Sequence, residues 1–301
     1  MIDAVRNYFG ELSTVVGAGW NRFWFTPAPA RALGAMRVVV GLLALYSVAT
    51  YGPDLQRWFG REGMLPLPMI RQLYDSQWSV LDYVPPHLLQ SAYWASLGVL
   101  GLYVAGVGGR VTAVLATVAT LSFFSRAPLL TGEFEAIISF LLVYLCIGRA
   151  SDEFSVPALL RRRRASGSTI VAASPANAIS LRLLQVHLAM AHLMMGWAQL
   201  AAPEAAWWSG EGVWLAAMRT DMSLVNLDFL TNHPRVVAAW SHLMTLYLVA
   251  FPVFVWVRWT RPLVLAVGVA VWGAFALASG WVLFCLAMLA GLIAFLERPA
   301  A

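Results

Sequence analysis

Lysine is absent from this 301-residue chain, so all 20 of its basic side chains are arginine. Without a side-chain amine there is no Schiff base, no lysine general base and no phosphate-cradling P-loop lysine. Charge of either sign is scarce: 12% of residues are ionisable acids or bases, where a soluble domain carries about 25%. With 60% hydrophobic residues and a mean hydropathy of +0.70, this excludes a soluble enzyme, a disordered chain and a collagen-like one. The 2 cysteines, Cys146 and Cys285, are too few for a disulfide scaffold or a cysteine-rich metal site. Both lie in apolar runs, where a free cysteine behaves as a small buried hydrophobe. Those runs are continuous rather than alternating, which argues against an outer-membrane barrel. What these absences leave is an all-α, polytopic integral membrane helical bundle.

A spanning helix needs about 20 mostly apolar residues. Candidate spans fall at about 32–51, 88–105, 110–127, 133–148, 178–200, 236–257, 262–278 and 280–296, forming one transmembrane domain over 32–296. The last two come from a single apolar stretch, Pro262 to Leu296, that is too long for one crossing and is expected to turn at Ser279-Gly280. Residues 1–31 are expected to hold an interfacial amphipathic helix, with Ile2, Val5, Phe9, Leu12 and Val16 at helical spacing and no cleavable signal. The aromatics Trp20, Phe23, Trp24 and Phe25 suit the headgroup level. Residues 297–301 form a short tail.

Arginine placement predicts orientation. With Arg161-Arg162-Arg163-Arg164 inside, eight spans put both termini in the cytoplasm. Arg6, Arg22, Arg31, Arg110, Arg149, Arg161 to Arg164, Arg182, Arg258, Arg261 and Arg298 are then inside, and Arg57, Arg61, Arg71, Arg126, Arg219 and Arg235 outside. The net charge of +5 is read as topology and contact with anionic membrane lipid, not as a nucleic-acid partner. The place this implies is a cell membrane, the bacterial inner membrane. The loop over 149–177 is expected to be polar and flexible where Ala165-Ser166-Gly167-Ser168 follow the arginines.

Two long loops, about 52–87 and 201–235, fall outside with most of the acids, among them Asp54, Glu62, Asp75, Asp82, Glu133, Glu204, Glu211, Asp221 and Asp228. The first is expected to carry a surface helix with Met69, Ile70, Leu73, Trp78, Leu81 and Val84. The second carries Trp207-Trp208-Ser209-Gly210. These loops either cap a site between helices or pack at the interface without chemistry.

Ionisable groups inside a membrane are costly and therefore point to function. Arg37 lies in the first span, with Gly34 and Gly41 on its side of the helix, where another helix can approach. It either serves a site or snorkels to the near interface. The fifth span spaces Gln185, His192 and Gln199 by seven, which leaves about 20° of drift per heptad and puts all three on one stripe. Ala189 and Gly196 on that stripe leave room, so it should face the bundle interior. Its readings are hydrogen-bonded packing, a cavity for a polar substrate or quinone-like head group, or a metal shared with His242. His187 and His192, five apart, cannot ligate one ion from a regular helix, and no metal site is assigned. At the outer ends of the third and fourth spans, Thr131 is placed to cap a helix whose first turn holds Glu133 and Glu135. Arg126 with Glu133 forms a possible outer-rim pair. No serine-histidine-aspartate order, phosphate loop or haem motif is present.

Three stretches then line up in order. They are the aromatics Trp20 to Phe25 before Leu33-Gly34, Arg37 and Gly41; Gly132 to Gly148 followed by Phe154-Ser155; and Arg182-Leu183-Leu184-Gln185-Val186-His187 through Gly196, with Trp207 or Trp208 and Gly210 beyond. Across 20–220 the chain resembles the horizontally transferred transmembrane domain (HTTM) family, related to the membrane part of vitamin K-dependent gamma-carboxylase. In that family an aromatic often stands at the position of His192 and a lysine at that of Gln199, and in the carboxylase the matching lysine is implicated as the base. Here Gln199 has no basic lone pair and no lysine substitutes, so the resemblance implies the fold without the carboxylase reaction.

Two functional readings follow. One is an enzyme or enzyme subunit with an outward-facing intramembrane cavity for a lipid-soluble substrate such as a quinone. There His192 moves the proton, and Arg37, Gln185, Gln199, Trp207, Trp208, Arg126 and Glu133 shape the site. The other is a non-catalytic membrane protein that binds a lipid or a second protein subunit, or carries a solute.

Overall fold

The computed structural model describes residues 2–74, 78–164, 172–201, 206–218, 224–225 and 227–297, with side chains from residue 10 onward except Phe229. Asp75, Glu204, Asp221, Arg219, Arg298 and the Ala165 to Ser168 stretch lie outside the described residues, as do the side chains of Ile2, Val5 and Phe9.

In chain order the helices are α1 (Ile2–Phe25), α2 (Arg31–Thr50), α3 (Leu55–Phe59), α4 (Leu67–Leu73), α5 (Leu89–Ala105), α6 (Gly109–Arg126) and α7 (Glu133–Leu145). There follow α8 (Val156–Arg164), α9 (Pro175–Ala201), α10 (Ala206–Ser209), α11 (Gly212–Ala217), α12 (Pro234–Phe254), α13 (Arg261–Ser279) and α14 (Val282–Leu292). Each expected span is a helix, its ends displaced by a few residues. Among the described residues there is no strand beyond one isolated bridge, Ala28 with Ser174. Five helices, α2, α5 with the turn before it, α9, α12 and α13, are long and apolar enough to cross a membrane.

The packing is that of a bundle in an apolar solvent. On α6, Val111, Val114, Leu115 and Val118 point outward while Thr112, Thr117, Thr120 and Ser122 are buried. Those hydroxyls bond back onto their own helix, as Thr117 does to Ala113 O (2.8 Å) and Thr120 to Ala116 O (2.9 Å). A hydroxyl that has no water must be satisfied internally. Outward apolar side chains recur on α2 (Leu42, Tyr46), α9 (Met190, Leu193, Trp197) and α12 (Leu246, Val253). An apolar surface of this extent, spread over many helices, suits acyl chains rather than water.

The break between the last two long helices falls where the sequence placed it. Gly280, at φ +71°, ends α13 in the left-handed conformation that a residue with Cβ adopts at a cost. Three local expectations are corrected. The surface helix of the first long loop is only α4. It ends at Tyr74, and Val80–Tyr83 form a 3-10 turn because Ser79 caps them and its hydroxyl donates to Ser122 O (2.6 Å). The four arginines do not lie in a loop but end helix α8, and Arg162 pairs with the buried Glu153. Thr131 does not cap α7: its hydroxyl donates to Pro128 O (2.7 Å), and Gly132 is the N-cap, with its N–H donating to Glu135 Oε2 at 2.7 Å.

Candidate functional site

Arg37 is fully buried and does not snorkel. Its guanidinium has five N–H donors, and five main-chain carbonyls meet them. Nη1 donates to Tyr103 O and to Val104 O (2.6 Å), Nη2 to Phe154 O (2.7 Å) and, at longer range, Glu153 O (3.5 Å), and Nε to Ala150 O (3.2 Å). Tyr103 and Val104 are in the last turn of α5, whose carbonyls carry the negative end of the helix dipole. The cation is thus held by dipoles, and it ties α2 to α5 and to the 150–154 segment. The glycines beside it permit the approach. A Cβ on Gly34 would stand 2.9 Å from Glu153 O, and one on Gly41 2.9 Å from Val104 Cγ2. Gly106, at φ +72°, caps α5 where a Cβ would lie 3.0 Å from Arg37 Cζ.

The stripe on α9 faces the interior as expected, with Gln185 and His192 buried and Gln199 half-buried. Gln185 Nε2 donates to Ala294 O (2.7 Å) while its Oε1 accepts from Arg182 Nη1 (2.8 Å). Gln199 Oε1 accepts from Thr245 Oγ1 (2.8 Å). His192 is fully buried, with Nδ1 bonded to Leu188 O (2.8 Å) and its ring stacked on Phe251 at 3.9 Å. Tyr247 and Trp272 meet it edge-on at 5.6 and 5.7 Å. Among the described residues its Nε2 has no partner. Gly196 lets α12 close in, since a Cβ there would sit 2.9 Å from Val249 Cγ2.

The histidines do not converge. His187 stacks on Phe140 at 4.1 Å and shares a 2.9 Å hydrogen bond with the Tyr144 hydroxyl, and His242 is exposed on α12. No three of His, Cys, Asp or Glu among the described residues stand together as metal ligands.

The remaining expected residues sit at the far end of the bundle from Arg37. Buried Arg126 does not pair with Glu133, which is exposed. Its carboxylate partner is Asp82 at 3.6 Å, and it donates to Leu65 O (3.0 Å) and Gly60 O (3.2 Å), fastening the first long loop to α6. Burial pushes the Asp82 carboxyl above its usual value, against the pull of Arg126 and Arg71. Exposed Trp208 donates from Nε1 to Leu200 O (3.0 Å), and Trp207 packs over Gly212. Buried Ser241 holds this loop to α12, accepting from Val213 N (3.0 Å) and donating to Gly210 O (2.8 Å). The tryptophan loop therefore lies against the Gln199 end of the α9 stripe, through Trp208 on Leu200 O and Ser241 beside Thr245, whereas Arg37 is held elsewhere, by α5 and the 150–154 segment.

A cavity of about 390 Å³ opens instead at the Arg37 end, walled by Arg37, Tyr103, Arg110, Arg149 and Asp152 together with Gly109 and Gly148. Sequence reasoning counted Arg110 and Arg149 only as topology markers and passed over Tyr103. Two arginines at successive helix ends, α6 and α7, were the available signal. Also missed was Asn177, fully buried, whose side chain accepts from Arg149 N (2.8 Å) and donates to Ala28 O (3.1 Å). Comparison with family models, with characterised proteins and with solved structures finds no match for this chain.

Proposed function

We propose that this chain is an HTTM-like multi-pass membrane protein with about eight spans and both termini on the cytoplasmic side of a bacterial inner membrane. We further propose that it binds membrane lipid and is not itself catalytic. The observation that carries this reading is the fate of the α9 stripe. Gln185 and Gln199 are engaged by neighbouring helices, and His192 is sealed under Phe251, Tyr247 and Trp272. A general base has to come within hydrogen-bond reach of the proton it takes, and a fully buried ring among aromatics has no such access. The same closure removes support from a quinone head group beside His192. The orientation rests on the arginine-rich helix α8 lying at the same end as Arg110 and Arg149.

Native mass spectrometry of gently solubilised protein, wild type beside His192→Phe, tests the function. Phospholipid retained equally by both is expected. A redox-active quinone retained by the wild type and lost from the variant overturns the reading. Cysteine labelling at Leu160→Cys and Trp208→Cys in intact cells tests the orientation: an impermeant reagent is expected to reach position 208 and not position 160.

A further inference from the structure

The cavity at the Arg37 end differs from a packing defect in what lines it. Three arginines, Arg37, Arg110 and Arg149, face a single carboxylate, Asp152. Arg37 contributes charge but no free donor, because carbonyls take all five of its N–H groups. Arg110 is exposed and spends one Nη2 bond on Ile147 O (2.8 Å), which orients its fork at the cavity mouth. Arg149 is exposed while its own backbone N–H is pinned by Asn177, so the side chain projects from a fixed point.

A second observation is independent of the arginines. Tyr103 belongs to the cavity wall, is 1% exposed, and among the described residues its hydroxyl has no hydrogen-bond partner. A buried donor left without an acceptor is costly and uncommon in native proteins. Beside it, the first turn of α6 begins at Gly109, where a Cβ would meet nothing within 4 Å. The N-cap, Gly108, has no side chain to satisfy that turn.

Planar guanidinium forks match the paired oxygens of a phosphate, and a hydroxyl donor with helix N–H groups adds to the same preference. Asp152 repels a bare anion but accepts from a ligand hydroxyl. We infer that this cavity binds a hydroxyl-bearing phosphate ester, with the phosphate on Arg110 and Arg149 and the hydroxyl on Asp152. The ester is either the headgroup of an anionic phospholipid or a soluble phosphate of the same chemistry. The inference rests on the lipid-binding reading for the first source only.

The test uses the full chain in nanodiscs of phosphatidylcholine with or without phosphatidylglycerol, and native mass spectrometry to count the anionic lipid retained. The soluble arm adds glycerol 3-phosphate to phosphatidylcholine nanodiscs. Wild type is compared with Arg110→Gln/Arg149→Gln, with Tyr103→Phe, and with a variant whose Arg161, Arg163 and Arg164 are all Gln, Arg162 being kept because it pairs with the buried Glu153. Two cationic groups at a membrane surface contribute roughly a 30-fold factor in affinity. The double variant is expected to lose about that much, Tyr103→Phe less, and the α8 variant little, all with unchanged unfolding midpoints. Saturable binding of glycerol 3-phosphate with the same variant dependence supports the soluble source. Retention that follows the α8 arginines and ignores Arg110 and Arg149 overturns the site and leaves lipid binding standing. Failure of the wild type to retain either ligand overturns the site, and the lipid-binding reading falls with it only if phosphatidylcholine is not retained either.

Discussion

Removing the Arg37 guanidinium tests the central packing argument directly. Arg37→Met keeps the stem that lies against α5 and deletes all five donors, leaving the carbonyls of Tyr103, Val104, Ala150, Glu153 and Phe154 without them. Three of those bonds are short and two are long. A hydrogen bond to a charged group contributes about 1.5–3 kcal/mol, so the short ones together stabilise by roughly 5–9 kcal/mol. Against this stands the desolvation of the cation, several kcal/mol in real proteins. The net loss on deletion should lie near 3–5 kcal/mol, the range seen when one member of a buried ionic contact is removed. Arg37→Lys retains the charge, but a compact ammonium cannot reach carbonyls on both α5 and the 150–154 segment, so an intermediate loss is expected. Equilibrium unfolding in mild detergent, followed by tryptophan fluorescence, reads both variants. An Arg37→Met protein with the wild-type midpoint would refute the idea that the buried cation clamps these elements.

Gly106→Ala puts a Cβ 2.4 Å from Ser155 Cβ at φ +72°, so it should lower stability by at least 1–3 kcal/mol, roughly. Gly98→Ala, exposed on α5 with nothing within 4 Å, should raise it by about 0.5–1 kcal/mol; the same unfolding assay orders the pair. A Cβ at Gly268 would lie 2.3 Å from the Tyr247 hydroxyl, so Gly268→Ala should destabilise and Tyr247→Phe should rescue it. A double-mutant cycle with no coupling between them would contradict that contact. The Asp82 carboxyl, raised by burial, binds its proton more tightly folded than unfolded. Its contribution is therefore fully present below the ordinary carboxylate value and declines as pH rises through the raised one. Asp82→Asn should flatten the stability–pH curve across that window, measured as unfolding midpoint against pH.

The positions of the long helices were readable in the amino-acid sequence because a run of apolar side chains is a local property. The Gly280 break was readable too, since a left-handed helix end selects glycine from a single residue's sterics. Heptad spacing placed Gln185, His192 and Gln199 on one inward stripe, and the small residues Gly34 and Gly41 marked where Glu153 and α5 come near the Arg37 helix. Partners were another matter. Nothing near Arg126 in the chain pointed to Asp82 rather than Glu133, because the choice depends on how the first long loop folds back over α6. The same holds for His192. Its spacing is equally compatible with a lined cavity and with a closed stack, and only the approach of α12 and α13 made it the latter.

What the sequence by itself determined is therefore an all-α chain with helices long and apolar enough to cross a membrane, the course of those helices and the inward face of α9. Those follow from hydropathy, turn chemistry and helical periodicity. The tertiary structure alone decided that the stripe's polar groups bond to neighbouring protein and that a cavity opens at the arginine-rich end. Which donor meets which acceptor depends on contacts between residues far apart in the chain, and no local pattern encodes them.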